Sequence, residues 1–287
     1  MDCTIVVATR NRRSILVKNL ARLCALPERP NIVVVDNGSS DGTARAVQAA
    51  FPQISVIALD VNRGAAARNL GVAAATTSFV AFCDDDCWWT AGALPLAVAT
   101  LMQHPRVAVV NGRVCVGGER RTDAACTSMA KSPLRSRSGA PGRAIASFMA
   151  GAIVVRRDAF LAAGGYHPRF LIGAEEPLLA LDLREAGYDL LYVPHVVLIH
   201  TPAKIARDAA ERRHLVLRNL LWTAWLRYPF VIACGETILA IGAAARDRRA
   251  RRAFFSALRG AVWVLRERRP VSRAIAQTFC TLVRRSA

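Results

Sequence analysis

The sequence predicts an α/β fold, in which a doubly wound sheet domain is followed by a helical appendage. Over the first hundred residues, short β-branched runs alternate with stretches of helical apolar periodicity, which is the pattern of βαβ units. After Pro202 the pattern becomes helical and amphipathic, with arginines interleaved among apolar residues. We therefore expect a sheet domain at residues 1–201 and a basic amphipathic helical region at residues 202–287.

The individual elements follow from the same periodicities. Strands are expected at residues 4–8, 31–35, 54–59, 79–82, 107–111, 113–116, 148–156 and 188–193. Helices are expected at residues 14–25, 42–50, 65–75, 158–163, 175–186, 206–227 and 229–245. The polar segment 117–143, rich in Ser, Arg, Gly and Pro, is expected to be a long mobile loop. Because ligands of doubly wound sheets bind beyond the carboxyl ends of the strands, the residues that follow each strand are the candidates for function.

The basic character of the chain lies mainly in the helical region. The whole chain holds 39 Lys and Arg against 21 Asp and Glu, and residues 203–287 alone hold 18 against 5. Such a region binds nucleic acid or an anionic lipid surface, and charge alone does not choose between them. The apolar stretch 229–245 is shorter than the roughly 20 residues of a membrane span and contains Glu236, so a buried or interfacial helix is expected there.

Composition and cysteine spacing narrow the class of protein further. The chain has 53% hydrophobic residues and a mean hydropathy of +0.25. This composition excludes a disordered protein and is compatible with peripheral contact with a membrane. The eight cysteines show neither a CxxC pair nor zinc-ligand spacing, and no signal-peptide pattern precedes the first strand. Reduced thiols and a cytoplasmic location are therefore expected.

The strongest local signal is an acidic triplet, residues 84–86, directly after the apolar strand 79–82. Three adjacent carboxylates repel one another and lose hydration unless a cation compensates them. Mg²⁺ prefers carboxylate oxygens and commonly shares them with substrate phosphates. The alternative is a solvated acidic loop, but the two tryptophans that follow favour a partly enclosed site. Either Asp85 or Asp86 could face the cation.

Two other strand ends carry candidate ligand contacts. Asp36 follows the strand 31–35 and can accept hydrogen bonds from a ligand's imide or hydroxyl donors, whereas the Ser, Gly and Asp residues after it are interpreted as turn and cap residues. Arg63 and Arg68 lie at the N-terminal end of a small-residue helix. This arrangement suits a diphosphate, or equally a solvated helix start.

A second acidic group, Glu175 and Glu176, begins a predicted helix. Acids in a first helical turn are common for helix-dipole reasons alone. Two adjacent carboxylates also raise each other's pKa, which suits a general base near neutral pH. His200 follows the last predicted strand and is either a metal ligand or an ordinary polar end of the domain.

In this order the motifs resemble the family 2 glycosyltransferases of the GT-A fold, over about residues 3–201. The matching pieces are Val7-Ala8-Thr9-Arg10-Asn11-Arg12, Asp36-Asn37-Gly38-Ser39-Ser40-Asp41-Gly42-Thr43, Asn62-Arg63-Gly64, Arg68-Asn69, Asp84-Asp85-Asp86, Gly164-Gly165-Tyr166, Glu175-Glu176 and Gly187-Tyr188. Each piece is weak alone, but their order and separation are specific. The resemblance implies a nucleotide-diphospho-sugar transferase fold with a mixed sheet, in which residues 1–110 bind the nucleotide sugar and residues 111–201 bind the acceptor.

The resemblance also assigns roles to the residues that would bind the nucleotide. Asp36 would recognise the base, with Thr9 and Arg10 in the same pocket, and a UDP-sugar is the favoured donor. Arg63 and Arg68 would lie near the nucleotide and its phosphates. The partners implied are thus a nucleoside-diphosphate sugar and a hydroxyl acceptor, lipid-linked acceptors included.

For the acidic triplet the resemblance implies a division of roles. Asp84 would contact the ribose or sugar of the donor, with Asp85 beside it among the donor-binding residues. Asp86 would hold Mg²⁺ or Mn²⁺ against the diphosphate, and His200 matches a late histidine that some relatives have near the metal. The metal then offsets the charge that builds on the departing nucleoside diphosphate.

The second acidic group matches the catalytic base of the family. Glu176 stands where an Asp is usual, and its longer side chain preserves the role while changing the reach. With Glu175 beside it, Glu176 would take the proton of the acceptor hydroxyl in a single displacement that inverts the anomeric carbon.

The helical region would either dock on the core as a lid or lie on an anionic membrane, at the inner face of the plasma membrane.

Two other classes of protein compete with this interpretation. A nucleic-acid-binding protein should show a basic face with stacking aromatics or a known binding module, and because neither is evident no nucleic-acid partner is expected. A sugar-nucleotide pyrophosphorylase would share the sheet and Mg²⁺. It should, however, carry a Gly-rich loop after the first strand, where this chain has Thr9-Arg10-Asn11-Arg12.

Overall fold

The computed structural model describes residues 1–117, 121–202 and 209–286. The strands are β1 (Cys3–Thr9), β2 (Asn31–Asp36), β3 (Ser55–Ala58), β4 (Phe79–Asp84), β5 (Cys87–Trp89), β6 (Val107–Val116), β7 (Arg121–Thr122), β8 (Arg143–Ala144), β9 (Ile153–Arg156) and β10 (Asp189–His200). The helices are α1 (Arg13–Cys24), α2 (Thr43–Ala50), α3 (Ala67–Ala74), α4 (Ala93–Gln103), α5 (Ala124–Ala130), α6 (Arg157–Ala162), α7 (Glu175–Glu185), α8 (Ala209–Arg227), α9 (Phe230–Arg246), α10 (Arg248–Leu258), α11 (Ala261–Arg266) and α12 (Arg273–Ser286). Short 3-10 turns at Gly64–Ala66 and Pro168–Phe170 precede α3 and α7.

The strands form one sheet with the order β3-β2-β1-β4-β9-β6-β10-β5, with β7 beside β6 and β8 beside β10. The first four strands in this order run parallel, whereas β9 runs antiparallel to both β4 and β6. The predicted α/β fold with a doubly wound, mixed sheet is therefore confirmed. In the register of the sheet, Thr9 lies beside Asp36, and Ala8 lies beside Asp84. The carboxyl ends of β1, β2 and β4 thus meet at one edge.

The prediction of one long loop at residues 117–143 is wrong. Its described part contains β7, α5 and β8, while residues 118–120 lie outside the described residues. Asp123 caps α5 by accepting a hydrogen bond from a backbone N–H group of its first turn. The buried Asp189 carboxylate accepts hydrogen bonds from two successive backbone N–H groups of the same segment. Carboxylates thus accept hydrogen bonds from three backbone N–H groups of the segment.

The strand predicted at residues 148–156 is present only in its last part, as β9. The preceding backbone N–H groups bond to side chains instead of to a neighbouring strand. Met149 donates to Asn111 at 2.7 Å, and Ala150 donates to Glu176 at 3.4 Å. These contacts turn the segment out of the sheet and toward the second acidic group.

The strand predicted at residues 188–193 continues to His200, because it pairs with β6 on one side and with β5 on the other. The two strands predicted at residues 107–111 and 113–116 form a single strand, β6. The extension of β10 brings His200 to the point where β5 begins.

The C-terminal helices dock on the sheet domain, chiefly on α7, which contacts both α8 and α12. Phe170 and Leu178 of the sheet domain share an apolar cluster with Trp222 of α8. Arg227 of α8 forms an ion pair with Asp182 of α7. The described part of the helical region is therefore docked on the sheet domain through α8 and α12.

The described part of α8 begins at Ala209, so the first residues of the helix predicted at 206–227 lie outside the described residues. The helix predicted at 229–245 is α9, which packs against α8 and α10 and leaves a row of apolar side chains exposed. Across the three described ranges, no helix combines the length and the apolar character needed to cross a membrane.

Candidate active site

The carboxyl end of β4 carries the acidic triplet, and its three carboxylates have different surroundings. Asp84 ends β4, and its side chain is 44% exposed. Asp85 and Asp86 form the turn between β4 and β5, and Asp85 is only 3% exposed. Because the second and third carboxylates are largely buried, the interpretation of a solvated acidic loop is wrong.

A single guanidinium group, that of Arg12, bridges Asp85 and Asp86. One of its terminal nitrogens contacts Asp85, and the other lies 2.8 Å from Asp86 Oδ2. The Thr9 hydroxyl group donates to Asp85 Oδ2 at 2.8 Å. Burial raises the pKa of Asp85 to about 6, although Arg12 and Thr9 act to lower it. Asp85 is therefore held inside the protein by two neighbours that follow or end β1.

The remaining oxygen of Asp86 faces His200. Nε2 of His200 lies 3.5 Å from Asp86 Oδ1, because β10 pairs with β5 and places His200 opposite Cys87. Burial acts to raise the pKa of Asp86, but hydrogen bonds from His200 and Arg12 outweigh it and hold this pKa well below its usual range. The hydrogen bond with Asp86 in turn raises the pKa of His200, while burial acts against it.

The surroundings of Asp86 fit a divalent cation. Asp86, Cys87 and His200 offer ligand atoms that all lie within 4.8 Å of one another. A carboxylate suits Mg²⁺ and Mn²⁺, and an imidazole nitrogen is a further ligand for transition metals. Burial raises the pKa of the Cys87 thiol far above its ordinary value, and this thiol lies 3.7 Å from Asp86 Oδ1. For Mg²⁺ or Mn²⁺, Asp86 and His200 are the candidate ligands of this group, because thiolates suit softer metals.

Asp84 and Glu176 flank one short backbone segment. The backbone of Gly151 passes so close to Asp84 that a Cβ at Gly151 would lie 2.5 Å from Asp84 Oδ2. The preceding residue, Ala150, donates its N–H group to Glu176 Oε1 at 3.4 Å. On the other side of Asp84, the Arg68 guanidinium lies 2.6 Å from Oδ1. The structure thus brings the acidic triplet and the second acidic group together.

Glu175 and Glu176 form the first turn of α7, where Glu175 is buried and Glu176 is half-buried. Burial, and then repulsion from Glu175, raise the pKa of Glu176 to about 8. Burial also raises the pKa of Glu175. Arg68 attracts both carboxylates but is already paired with Asp84, and the fully buried Tyr166 lies in the same cluster. A carboxylate with a raised pKa can accept a proton near neutral pH.

The residues predicted to recognise a base lie at the ends of β1 and β2. Asp36 is buried, and its two oxygens accept hydrogen bonds from the backbone N–H groups of Ser39 and Ala44, each at 3.1 Å. Asp36 therefore stabilises its own loop, and each of its oxygens can accept one more hydrogen bond, from a ligand. Arg10 is exposed at the same edge, with Nε 3.5 Å from the Gly38 carbonyl oxygen.

The two arginines predicted near the phosphates have different surroundings. Arg63 is exposed and directly precedes the 3-10 turn that leads into α3. Arg68 lies in the first turn of α3 and is turned inward to Asp84. Arg63 can therefore contact an anion from solvent, whereas Arg68 neutralises part of the negative charge of Asp84 and the carboxylates near it.

Two site residues escaped the sequence prediction, Arg12 and Asn37. Asn37 accepts a hydrogen bond from the Arg63 N–H group at 2.7 Å and donates to the Gly64 carbonyl at 3.0 Å, which ties that turn to the end of β2. Three adjacent carboxylates require a neighbouring cation, and this requirement was a signal for Arg12. Asn37 gave no signal beyond its turn propensity.

The mixed sheet, with an acidic triplet where β4 ends, places the chain in the class of proteins with the GT-A fold. Several solved structures resemble this fold, among them the following two. A mannosyltransferase, PcManGT from Pyrobaculum calidifontis, in complex with GDP-Man and Mn²⁺, is 21% identical with a TM-score of 0.60, and the match covers 99% of this chain and 86% of that one. S. aureus TarS 1–349 in complex with UDP-GlcNAc is 19% identical with a TM-score of 0.60, and the match covers 78% and 66%. At these identities the likeness shows the fold alone.

The chain belongs to Glycosyl transferase family 2, whose model matches residues 4–162. A "Pre-mycofactocin glycosyltransferase" of Mycobacterium tuberculosis is 33% identical over 226 residues, which are 74% of this chain and 45% of that protein. The "Succinoglycan biosynthesis protein ExoU" of Rhizobium meliloti is 31% identical over 97 residues, 32% of this chain and 28% of that protein. The chain spans less than half the length of these curated relatives. The family model and these relatives confirm the predicted family.

Proposed function

We propose that the chain transfers a sugar from a nucleoside-diphosphate sugar to a hydroxyl acceptor, with inversion at the anomeric carbon and dependence on a divalent metal. One observation carries this proposal. The Asp86–His200 pair follows Asp84 at the carboxyl end of β4, and the backbone segment at Ala150 and Gly151 lies between Asp84 and the half-buried Glu176. A site with a cation-binding pair next to a proton acceptor is what a displacement of a diphosphate by a hydroxyl group requires.

In this proposal Asp86 and His200 would hold Mg²⁺ or Mn²⁺. The metal, when bound, neutralises the charge of the nucleoside-diphosphate leaving group. Asp84, whose side chain is the most exposed of the triplet, would hold the ribose or sugar of the donor. Asp85 would support it from inside, through Thr9 and Arg12 rather than through a ligand contact.

The proton acceptor in this proposal is Glu176. Burial raises the pKa of both carboxyl groups, and repulsion from Glu175 raises the pKa of Glu176 further. As the acceptor hydroxyl group attacks the anomeric carbon, its proton passes to a Glu176 carboxylate oxygen. Glu175 keeps the pKa of its neighbour high, and Arg68 keeps one of the two carboxylates ionised.

The proposed donor is a nucleoside-diphosphate sugar, with a UDP-sugar favoured. Asp36 and Arg10 would read the base, and Arg63 would meet the phosphates from solvent. The fold neighbours are complexes with GDP-Man and with UDP-GlcNAc, which supports a nucleotide sugar in general and leaves the base to be tested. Residues 1–110 would hold the donor and residues 111–201 the acceptor.

A thermal-shift panel tests the donor proposal. UDP, UDP-sugars, GDP-Man and a nucleotide without a diphosphate are each added to the protein with Mn²⁺, with Mg²⁺ and with EDTA. Because a ligand that binds only the folded state raises its stability by mass action, at least one diphosphate should raise Tm with a metal and much less with EDTA. If no diphosphate shifts Tm with either metal, the proposal fails.

We further propose that the exposed side of α9, α10 and α11 rests on an anionic membrane at the cytoplasmic face, where lipid-linked hydroxyl acceptors are found. Val231 is 77% exposed and Ile238 is 69% exposed, and other apolar side chains of the three helices are exposed with them. Arginines of α10 line an adjoining hollow of about 450 Å³. Apolar side chains next to arginines suit the boundary between lipid headgroups and acyl chains.

Flotation with vesicles tests the membrane proposal. The protein should float with phosphatidylserine-containing vesicles, and much less with pure phosphatidylcholine. The double variant Val231→Ser, Ile238→Ser should float less, whereas Met102→Ser, which changes an equally exposed apolar residue of the sheet domain, should behave as wild type. Absence of flotation with anionic vesicles would rule the surface out.

A further inference from the structure

The loop that leads into α7 has an unusual backbone. Leu171 (φ 62°), Gly173 (φ 88°) and Ala174 (φ 56°) all lie in the left-handed region, which only glycine enters without strain. Glu175 and Glu176 follow directly, so the direction of their side chains depends on this loop. A loop of this kind keeps its shape only when its surroundings hold it.

The surroundings that hold the loop come from two sides. On one side, the Ala65 N–H group donates to the Leu171 carbonyl oxygen at 2.6 Å. On the other side, α8 lies across the loop, and a Cβ at Gly173 would lie 2.7 Å from Val216 Cγ2. The loop is thus enclosed between the turn before α3 and the first half of α8.

The central contact from α8 is the side chain of Asn219, which is 0% exposed. Its Nδ2 atom lies 2.9 Å from the Phe170 carbonyl oxygen, 3.3 Å from that of Ile172 and 2.6 Å from that of Gly173. Its Oδ1 atom accepts hydrogen bonds from the Arg218 guanidinium at 3.0 and 2.9 Å. This orientation of the amide is the one that its neighbours require, because carbonyl oxygens need the NH₂ group and the guanidinium needs the oxygen.

We propose that Asn219 is a positioning residue for the second acidic group, so that α8 of the helical region completes the active site. The inference rests on the proposed function, because it assumes that Glu176 is the base. Asn219 lies outside residues 4–162, the range that the family model matches. By binding the carbonyl groups of the loop, Asn219 fixes the start of α7 and with it the reach of Glu176 toward Ala150 and Asp84.

The charges around Glu176 make loosening of the loop measurable. Glu176 is faced by Glu175 on its own helix and by Arg68 on α3, while Tyr166 lies in the same cluster and Arg212 of α8 acts on Glu175. If the loop loosens, water reaches Glu176 and its carboxylate form is favoured. The acid limb of the kcat profile should then move to lower pH while kcat itself falls.

The test compares Asn219→Ala, the milder Asn219→Ser and Arg227→Ala in the full chain. Arg227 is the matched control, because it also ties α8 to α7 but pairs with Asp182, well along the helix from Glu176. The measurements are hydrogen–deuterium exchange of residues 170–176, kcat and donor KM with Mn²⁺, and the pH profile of kcat. We expect Asn219→Ala to speed exchange, to lower kcat by about 10- to 100-fold with donor KM nearly unchanged, and to shift the acid limb.

In exchange, kcat and pH profile, Asn219→Ser should lie between wild type and Asn219→Ala. If Asn219→Ala does not fold, Asn219→Ser tests the positioning role in its place. Arg227→Ala should leave the exchange of residues 170–176 and the pH profile as in wild type. Unchanged exchange in the Asn219 variants, or equal losses of kcat in all variants without a pH shift, would overturn the positioning role. Failure of the proposed function is distinguishable, since it appears in the wild type as absence of metal-dependent donor binding and transfer.

Discussion

The two acidic groups of the site consist of the same kind of side chain, yet the fold gives them opposite properties. Asp86 has two hydrogen-bond partners, Arg12 and His200, which hold its pKa well below the usual range. Glu176 lies half-buried beside Glu175, and burial with repulsion from Glu175 raises its pKa to about 8. Hydrogen-bond donors around Asp86, and burial beside another carboxylate for Glu176, therefore separate a group that stays ionised from a group that can exchange a proton.

This difference matches two chemical tasks. A ligand for a divalent cation must be an anion across the working pH range, which a depressed pKa ensures. A general base works best when its pKa lies near the pH at which it acts. The predictions below test whether the two groups are separable in this way, from the largest expected effect to the smallest.

The largest effect should follow from Glu176→Gln. Glutamine keeps the size of the side chain but cannot take the proton of the acceptor, so kcat should fall by about 10²- to 10⁴-fold. Donor binding measured with Mn²⁺ should stay close to wild type, because Glu176 does not belong to the metal side. Turnover that remains at the wild-type level would remove Glu176 as the base.

The next effect separates the two aspartates that the sequence left as alternatives. Asp86→Asn should weaken Mn²⁺-dependent donor binding by about 100-fold or more, since even residues that only support metal ligands typically contribute about 10- to 100-fold. Asp85→Asn should leave the metal dependence nearly intact, because Asp85 is turned toward Thr9 and Arg12. Titration of each variant with Mn²⁺, followed by electron paramagnetic resonance, measures the metal dependence. A larger loss in Asp85→Asn than in Asp86→Asn would assign the metal to Asp85.

A smaller effect, on stability, should follow from Arg12→Gln. The change removes the guanidinium that two buried carboxylates share, and the free energy of unfolding should fall by about 3 kcal/mol at pH 7. Without Arg12 the pKa of Asp85 rises further. As the pH falls through the pKa of Asp85, its carboxyl group becomes protonated and no longer needs a neighbouring cation. The loss of stability in the variant should therefore be smaller at pH 5 than at pH 7.

Urea denaturation at the two pH values measures this deficit. Arg10→Gln is the matched control, because Arg10 is exposed two residues away and should change stability by less than about 0.5 kcal/mol. Equal deficits for the two arginine variants would contradict the bridging role of Arg12.

The smallest effect concerns the pH profile of kcat. In the wild type kcat should fall as pH drops through the raised pKa of Glu176, because the base becomes protonated. Glu175→Gln removes a neighbouring negative charge, so this acid limb should move by about one unit to lower pH. A limb that stays in place would show that Glu175 does not set the pKa of Glu176.

Much of the fold was predictable because strand and helix periodicities are local. The strands that end at Asp36 and Asp84 were predicted within one or two residues of their ends, and so was the start of α7 at Glu175. The rule that ligands bind beyond the carboxyl ends of parallel strands then pointed to the correct edge of the sheet.

The remainder depends on contacts between residues far apart in the chain. Arg12 reaches Asp85, 73 residues later, and Asn219 reaches Phe170, 49 residues earlier. No periodicity records such pairs. The segment 117–143 was predicted as a loop because it is rich in Ser, Arg, Gly and Pro, whereas in the fold carboxylates accept hydrogen bonds from several of its backbone N–H groups.

Binding of UDP and of GDP, measured by calorimetry with and without Mn²⁺ in wild type, Asp86→Asn and Glu176→Gln, tests the division of the site most directly. We predict that at least one nucleotide binds the wild type and Glu176→Gln with Mn²⁺, and that Asp86→Asn loses this dependence. Equal loss in both variants, or binding that is indifferent to Mn²⁺ in all three proteins, would contradict the separation of a metal-binding group from a proton-accepting one.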